Sequence, residues 1–116
     1  MNYFEKNIVQ NIDNQKWAFI ECHVKRNTLT ITLNRPAKKN ALHPQMVNEI
    51  AFALSHAHHN NEIRVVVFKA NGDIFCSGAD LKAFMGISEE FKSTIPNPSK
   101  PILLGEIFNQ VHKPII

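Results

Sequence analysis

Residues 64–70, RVVVFKA, form an apolar run too short for most helices and without the polar alternation of a half-exposed strand. Such a run is expected to be a strand buried on both faces, the habit of parallel sheets covered by helices. Its neighbours in sequence must then supply the cover. The chain has 116 residues, enough for one modest domain with a core of its own.

Other segments fit around that strand. In TLTITLN, residues 28–34, Leu29, Ile31 and Leu33 share one face and threonines the other, which is strand periodicity. WAFIECHV, residues 17–24, is rich in aromatic and branched side chains and predicts another strand. The short polar break KRN between them implies an antiparallel hairpin, with a turn type that the absence of Asn-Gly leaves open. From Pro44 to about Asn60, apolar residues recur at steps of three and four, predicting an amphipathic helix with Pro44 in its first turn and His43 as N-cap. A second helix is expected from Ala79 or Asp80, carrying Leu81, Phe84 and Met85, and helical spacing returns over residues 102–112. Residues 1–15 lack a clean period and read as an N-terminal extension to a unit of residues 16–116. Residues 86–100, rich in serine and proline, predict a mobile surface segment or a lid. KPII, residues 113–116, resembles the opening of a further buried strand, so the chain is expected to be the N-terminal part of a larger α/β domain.

Composition narrows the function classes. The hydrophobic fraction of 44% is that of a globular chain, and the formal charge of +3 is only mildly basic. The basic residues are scattered and do not alternate with aromatics, so no nucleic-acid partner is expected. Cys22 and Cys76 are far apart and form no CxxC pair, which argues against a disulfide framework or a zinc site. No secretory signal and no membrane-spanning run are evident, and a cytoplasmic location without a membrane partner is the expectation.

The chemistry gathers where the apolar strand ends. NGDIFCSGAD, residues 71–80, leads from the strand into the second helix. In open α/β folds ligands bind beyond the carboxyl ends of strands. The first N–H groups of a helix lack internal partners and carry partial positive charge. Gly78 and Ala79 have almost no side chain, so an oxyanion could approach those N–H groups, while Asp80 could cap the helix.

LNRP and NAL, then the apolar strand, then FCSGADL, in that order and spacing, resemble the crotonase family, also called the enoyl-CoA hydratase/isomerase superfamily. The resemblance is close over roughly residues 29–81 and returns at VHKPII. It implies a crotonase-like spiral of ββα units, of which this chain holds the N-terminal portion. It implies an acyl-CoA substrate whose thioester carbonyl is polarised by two backbone N–H groups, stabilising an enolate. Carried over residue by residue, it makes the Ala79 N–H the first oxyanion donor. Ser77, Gly78, Ala79, Asp80 and Leu81 would line the channel for the adenine and pantetheine, with Ala37, Lys39 and Ala41 as the opposite wall and Lys39 as a phosphate contact. Coenzyme A would enter only as part of the substrate, with no metal or other cofactor, and the assembly would be a homotrimer or hexamer. The second N–H donor and the acid/base glutamates of the family fall after KPII, so the 116 residues alone are expected to be inactive. The alternative is a non-catalytic module that binds coenzyme A or associates with a homologue. An unrelated nucleotide-binding domain is disfavoured, because no GxGxxG or Walker-type loop is present.

Duller readings hold elsewhere. His56, His58 and His59 of HAHH are expected to face solvent near a helix C-terminus rather than bind a metal. Cys76 is expected to be a small buried residue, and Arg35, Lys38 and Lys39 to be solvated loop charges.

Overall fold

The structure, a computed structural model, describes residues 3–87 and 89–116; Met1 and Asn2 of the extension and Ser88 of the segment 86–100 lie outside the described residues. Strand β1 (Ile20–Lys25) pairs antiparallel with β2 (Thr28–Leu33), from Ile20 opposite Leu33 to Lys25 opposite Thr28. Arg26 turns the hairpin with a left-handed φ of 56°. Helix α1 (Pro44–His59) then crosses over, and β3 (Val65–Ala70) returns parallel to β2, with Leu33 opposite Ala70. The sheet order is β1-β2-β3. The chain end starts to pair on the far side of β3: Ile116 N–H donates to Val66 O at 2.9 Å, and Phe68 N–H donates to Ile116 O at 2.8 Å. Two short helices complete the described elements, α2 (Leu81–Phe84) and α3 (Leu104–Gln110).

The alternation read in β2 sets the core. Leu29, Ile31 and Leu33 are buried against Met46, Ile50 and Leu54 of α1, while the threonines between them are half-buried. Burial of β3 is more one-sided than its sequence suggests. Val66 is fully buried and Phe68 meets Phe108 of α3 edge-on at 5.7 Å, but Val65 and Val67, on the other face, stay half-exposed. Strand alternation sends these two away from the helices that cover Val66.

Helix α1 begins as its sequence indicates. His43 Nδ1 accepts from Gln45 N–H at 2.9 Å, and Pro44 occupies the first turn, where a missing N–H costs nothing. At the other end Lys113 Nζ donates to Ala57 O and, at 2.7 Å, to Asn60 O. The helix is nevertheless buried on more than one stripe. Tyr3, Phe4, Val9 and Ile12 of the segment read as an extension pack into the same core, and Phe52 takes Phe4 and Trp17 edge-on at 5.4 and 5.8 Å. This cover corrects the reading of His56. It does not face solvent: it is buried, with Nδ1 2.6 Å from Val9 O. Glu49 is also buried, and its carboxylate accepts from Ala18 N–H, Phe19 N–H and Ser93 Oγ at 2.7–2.8 Å.

Ser93 belongs to the segment expected to be mobile, and its residues 93–95 are strapped down instead. Gln45 Nε2 donates to Ser93 Oγ and Ile95 O, Thr94 N–H donates to Lys16 O at 2.9 Å, and Ile95 is buried. Serine and proline raise the odds of a loop, but the buried carboxylate and amide of α1 supply partners that a sequence window does not contain.

Two outcomes follow. Phe4→Ala should cost about 3 kcal/mol in urea denaturation, the loss for a core phenylalanine, whereas a loose extension would lose almost nothing. His58 and His59 are held below the ordinary histidine value, by partial burial first and then by cationic neighbours that include His112 and Lys113 for His58 and Lys6 and Lys113 for His59. Their neutral forms favour the fold, so that contribution is complete above the unfolded value of about 6.5 and lost as pH falls below it. The urea midpoint should drop between about pH 7.5 and about pH 5, and a double His58→Gln, His59→Gln variant should drop less.

Candidate functional site

Parallel pairing brings the carboxyl ends of β2 and β3 to one end of the sheet. Asn71 N–H donates to Leu33 O at 2.9 Å there, and the loops of residues 34–43 and 71–80 leave side by side. Asn40 joins them. It is fully buried; its Nδ2 donates to Asn71 O and Ile74 O, both at 2.8 Å, and its Oδ1 accepts from Arg35 N–H at 2.8 Å. Lys39 and Asn40 both adopt φ of 54°, a left-handed region that asparagine tolerates and lysine enters at some cost. That backbone reverses the chain after the 3-10 turn Pro36–Lys38.

Beyond the reversal the loops form a short parallel ladder. Ser77 N–H donates to Lys39 O at 3.1 Å, Leu42 N–H to Gly78 O at 2.8 Å and Asp80 N–H to Leu42 O at 3.0 Å. In this pattern the residues flanking Ala79 bond to Leu42, and the groups of Ala79 itself point the other way. Among the described residues no acceptor takes the Ala79 N–H. Gly78 adopts φ of 107°, which a side chain would resist, so glycine is required just before the exposed amide.

Ala79 lies on a cleft of about 560 Å³ that also has Ala41, Asp80, Leu81, Ile87 and Glu89 in its lining, with Lys38 and Lys82 as cationic groups. Of the site residues singled out from sequence, Ala41, Ala79, Asp80 and Leu81 thus meet in one place. Ala37 is exposed on the 3-10 turn. Lys39 lines a smaller recess of about 240 Å³ on the loop's other flank, with Asn71 and Asp73. Ser77 N–H and Gly78 O are engaged in the ladder. Helix α2 begins only at Leu81 and spans four residues. The Ala79 amide is therefore held out by the Leu42 ladder and lies outside the helix whose N–H groups were expected to make the site.

Arg35 lines the same cleft, and here a solvated loop charge is the wrong description. Its side chain is 6% exposed. Nη1 donates to Ala41 O at 2.9 Å, Nη2 to Asp80 Oδ2 at 2.8 Å and Nε to Glu89 Oε1 at 2.9 Å, and the guanidinium sits 5.4 Å from the Phe19 ring centroid. Burial of a guanidinium is tolerable only with its donors so matched. Asp80 also accepts from Ala83 N–H at 3.2 Å and so caps α2. The hydrogen bond from Arg35, then that from Ala83, holds its carboxyl below the usual carboxylate value. His43, whose Nε2 is buried without a protein partner among the described residues, is held below the usual imidazole value, by burial first and then by Arg35.

Nucleophile and metal readings gain no geometry. Cys76 is half-exposed rather than buried. The Cys22 thiol is pushed far up by burial and by Glu49. Among the described residues no group of three or more His, Cys, Asp or Glu side chains could hold a metal ion, and none of the helices is long and apolar enough to cross a membrane.

A hairpin, a crossover helix and a parallel strand, with an amide at the meeting of their loops that no acceptor among the described residues takes, define a ββαβ unit of the α/β class. The chain belongs to the enoyl-CoA hydratase/isomerase family, whose profile matches residues 23–116, and its fold is the N-terminal portion of the crotonase fold. It is similar to "Enoyl-CoA delta isomerase 3, peroxisomal" of Mus musculus, 38% identical over 68% of this chain and 24% of that protein. It is also similar to "Probable enoyl-CoA hydratase 1, peroxisomal" of Arabidopsis thaliana, 34% identical over 74% of this chain and 31% of that protein. The chain thus spans roughly a quarter to a third of these curated relatives. A solved enoyl-CoA hydratase/isomerase from Pseudoalteromonas atlantica superposes with a TM-score of 0.69 at 32% identity, over 84% of this chain and 37% of that one.

Asn40→Ala would leave the carbonyls of Asn71 and Ile74 and the buried N–H of Arg35 without their partner. It should cost about 3 kcal/mol in urea denaturation and expose residues 71–80 to limited proteolysis before the sheet unfolds. Equal protection of that loop in both proteins would show that Asn40 does not join the loops.

Proposed function

We propose that this chain supplies the carbonyl-polarising half of an acyl-CoA-processing site of the hydratase/isomerase type, with the Ala79 N–H as oxyanion donor. The observation that carries the reading is the Ala79 amide, without an acceptor among the described residues and at the wall of a cleft of about 560 Å³. A thioester carbonyl seated on that amide would gain negative charge as its α-carbon loses a proton or its conjugated double bond is attacked. A fixed N–H dipole stabilises that charge without reorganising, and one such donor is worth about 3 kcal/mol in related acyl chemistry. Ala79 and Ala41 keep the approach open, Leu81 offers apolar surface, and Lys38 and Lys82 carry the charge that suits nucleotide phosphates. Lys38 lies on the cleft and Lys39 on the neighbouring recess, so either can meet a phosphate at the rim.

The two carboxylates of the cleft, Asp80 and Glu89, are engaged by Arg35. The assignment to these residues is therefore carbonyl polarisation, with proton transfer left to groups outside this cleft, and the isolated chain should bind thioester without turning it over. Hydration and double-bond isomerisation share the enolate, so the reading covers both. The mechanism needs no metal or redox group. A trimer or hexamer and a cytoplasmic setting remain part of the proposal, on the family resemblance and on the free thiols of Cys22 and Cys76 respectively.

Titration with acetoacetyl-CoA tests the reading, because this β-ketothioester develops near-ultraviolet absorbance when its enolate is stabilised. The absorbance should rise saturably, and free coenzyme A should compete. Binding without the enolate band would instead favour a non-catalytic coenzyme A module, and the absence of both would end the proposal.

A further inference from the structure

We infer that Arg35, from its place in the wall of the same cleft, is a positioning residue for the Ala79 amide, holding both backbone segments that aim it. The inference rests on the oxyanion reading only for its catalytic meaning; its geometry stands apart from that reading. The exposed amide is aimed by the Leu42 ladder, and the segments of the ladder are each tied to the same guanidinium. The carbonyl of Ala41, next to Leu42, accepts from Nη1 at 2.9 Å. The carboxylate of Asp80, next to Ala79, accepts from Nη2 at 2.8 Å. The main chain of Arg35 is locked in turn: its N–H donates to Asn40 Oδ1 at 2.8 Å, and its carbonyl accepts from Asn40 N–H at 2.9 Å and from Lys38 N–H at 3.1 Å.

The guanidinium thus spans the two segments as a rigid planar fork, with the Phe19 ring 5.4 Å from its carbon. Glu89 binds the third side at 2.9 Å and draws residue 89 against the same cleft. Lysine would keep the charge in this position but, with a single nitrogen, could not span Ala41 O, Asp80 and Glu89 in one plane. The requirement is therefore for arginine geometry as well as positive charge.

The test uses the 116-residue chain labelled with nitrogen-15. In Arg35→Lys, the Ala79 amide resonance should shift and broaden and its hydrogen exchange should change, while the amides of Ile31 and Val66 in the core stay in place. Asp80→Asn, which weakens one arm of the fork, should move the Ala79 resonance in the same direction. With acetoacetyl-CoA, Arg35→Lys should lower the enolate absorbance at saturation by about tenfold, with a smaller change in affinity for free coenzyme A. An unmoved Ala79 resonance in both variants would overturn the inference, as would Ile31 and Val66 shifting along with it. The amide readout needs no ligand, so a wild-type chain that forms no enolate would sink the oxyanion reading and leave this inference to be decided by the resonance.

Discussion

The parallel pairing of β2 with β3 is the constraint from which the site descends. Two antiparallel neighbours would send their following loops to opposite ends of the sheet. With Leu33 opposite Ala70, both strands end together, and the loops that follow them bond to each other within a few residues. Slipping the register by one residue would turn Leu29, Ile31 and Leu33 away from α1, so the core that fixes the sheet also fixes where the loops meet.

Around that junction and along α1 the chain buries polar side chains, and while His43 Nε2 is left without a protein partner among the described residues, three charged or amide groups are matched. Arg35, Asn40 and Glu49 are all buried, and each matches its hydrogen-bonding groups with partners from distant segments. Groups of this kind add little net stability when complete, but removing one partner leaves the others desolvated and alone. Their effect is to allow one arrangement of the loops and to penalise near neighbours. Glu49 extends that control to residues 93–95, which it and Gln45 hold against α1.

Much of the framework was legible in the residues themselves. The alternation of TLTITLN, the His43-Pro44 helix start and the short run VVVFKA all depend on local patterns, and the structure follows them. The ordered set of LNRP, NAL and SGAD pointed to a junction at which Ala41, Ala79, Asp80 and Leu81 do meet. What sequence could not convey is partnership at a distance. Nothing local separates Arg35, which bonds to Asp80 and Glu89, from the exposed Lys38. Asn40 looks like any loop asparagine until the carbonyls of Asn71 and Ile74 arrive beside it. His56 follows a helical face that would be solvated had residues 3–12 not folded over it. The exposed Ala79 amide was found for a partly mistaken reason: a helix start was expected to present it, whereas the ladder to Leu42 does.

The left-handed backbone of Lys39 and Asn40 has a consequence for the order of assembly. Neither residue is glycine, so a disordered chain has little cause to dwell in that geometry. The bonds that compensate for it come late by their nature: Asn40 reaches 31 and 34 residues along the chain, and Arg35 reaches 45 and 54. Closures of that span are rewarded only after the strands have docked. The loop end of the sheet should thus be the last part of the molecule to acquire its form during folding and the first to be lost when the docking of the strands loosens.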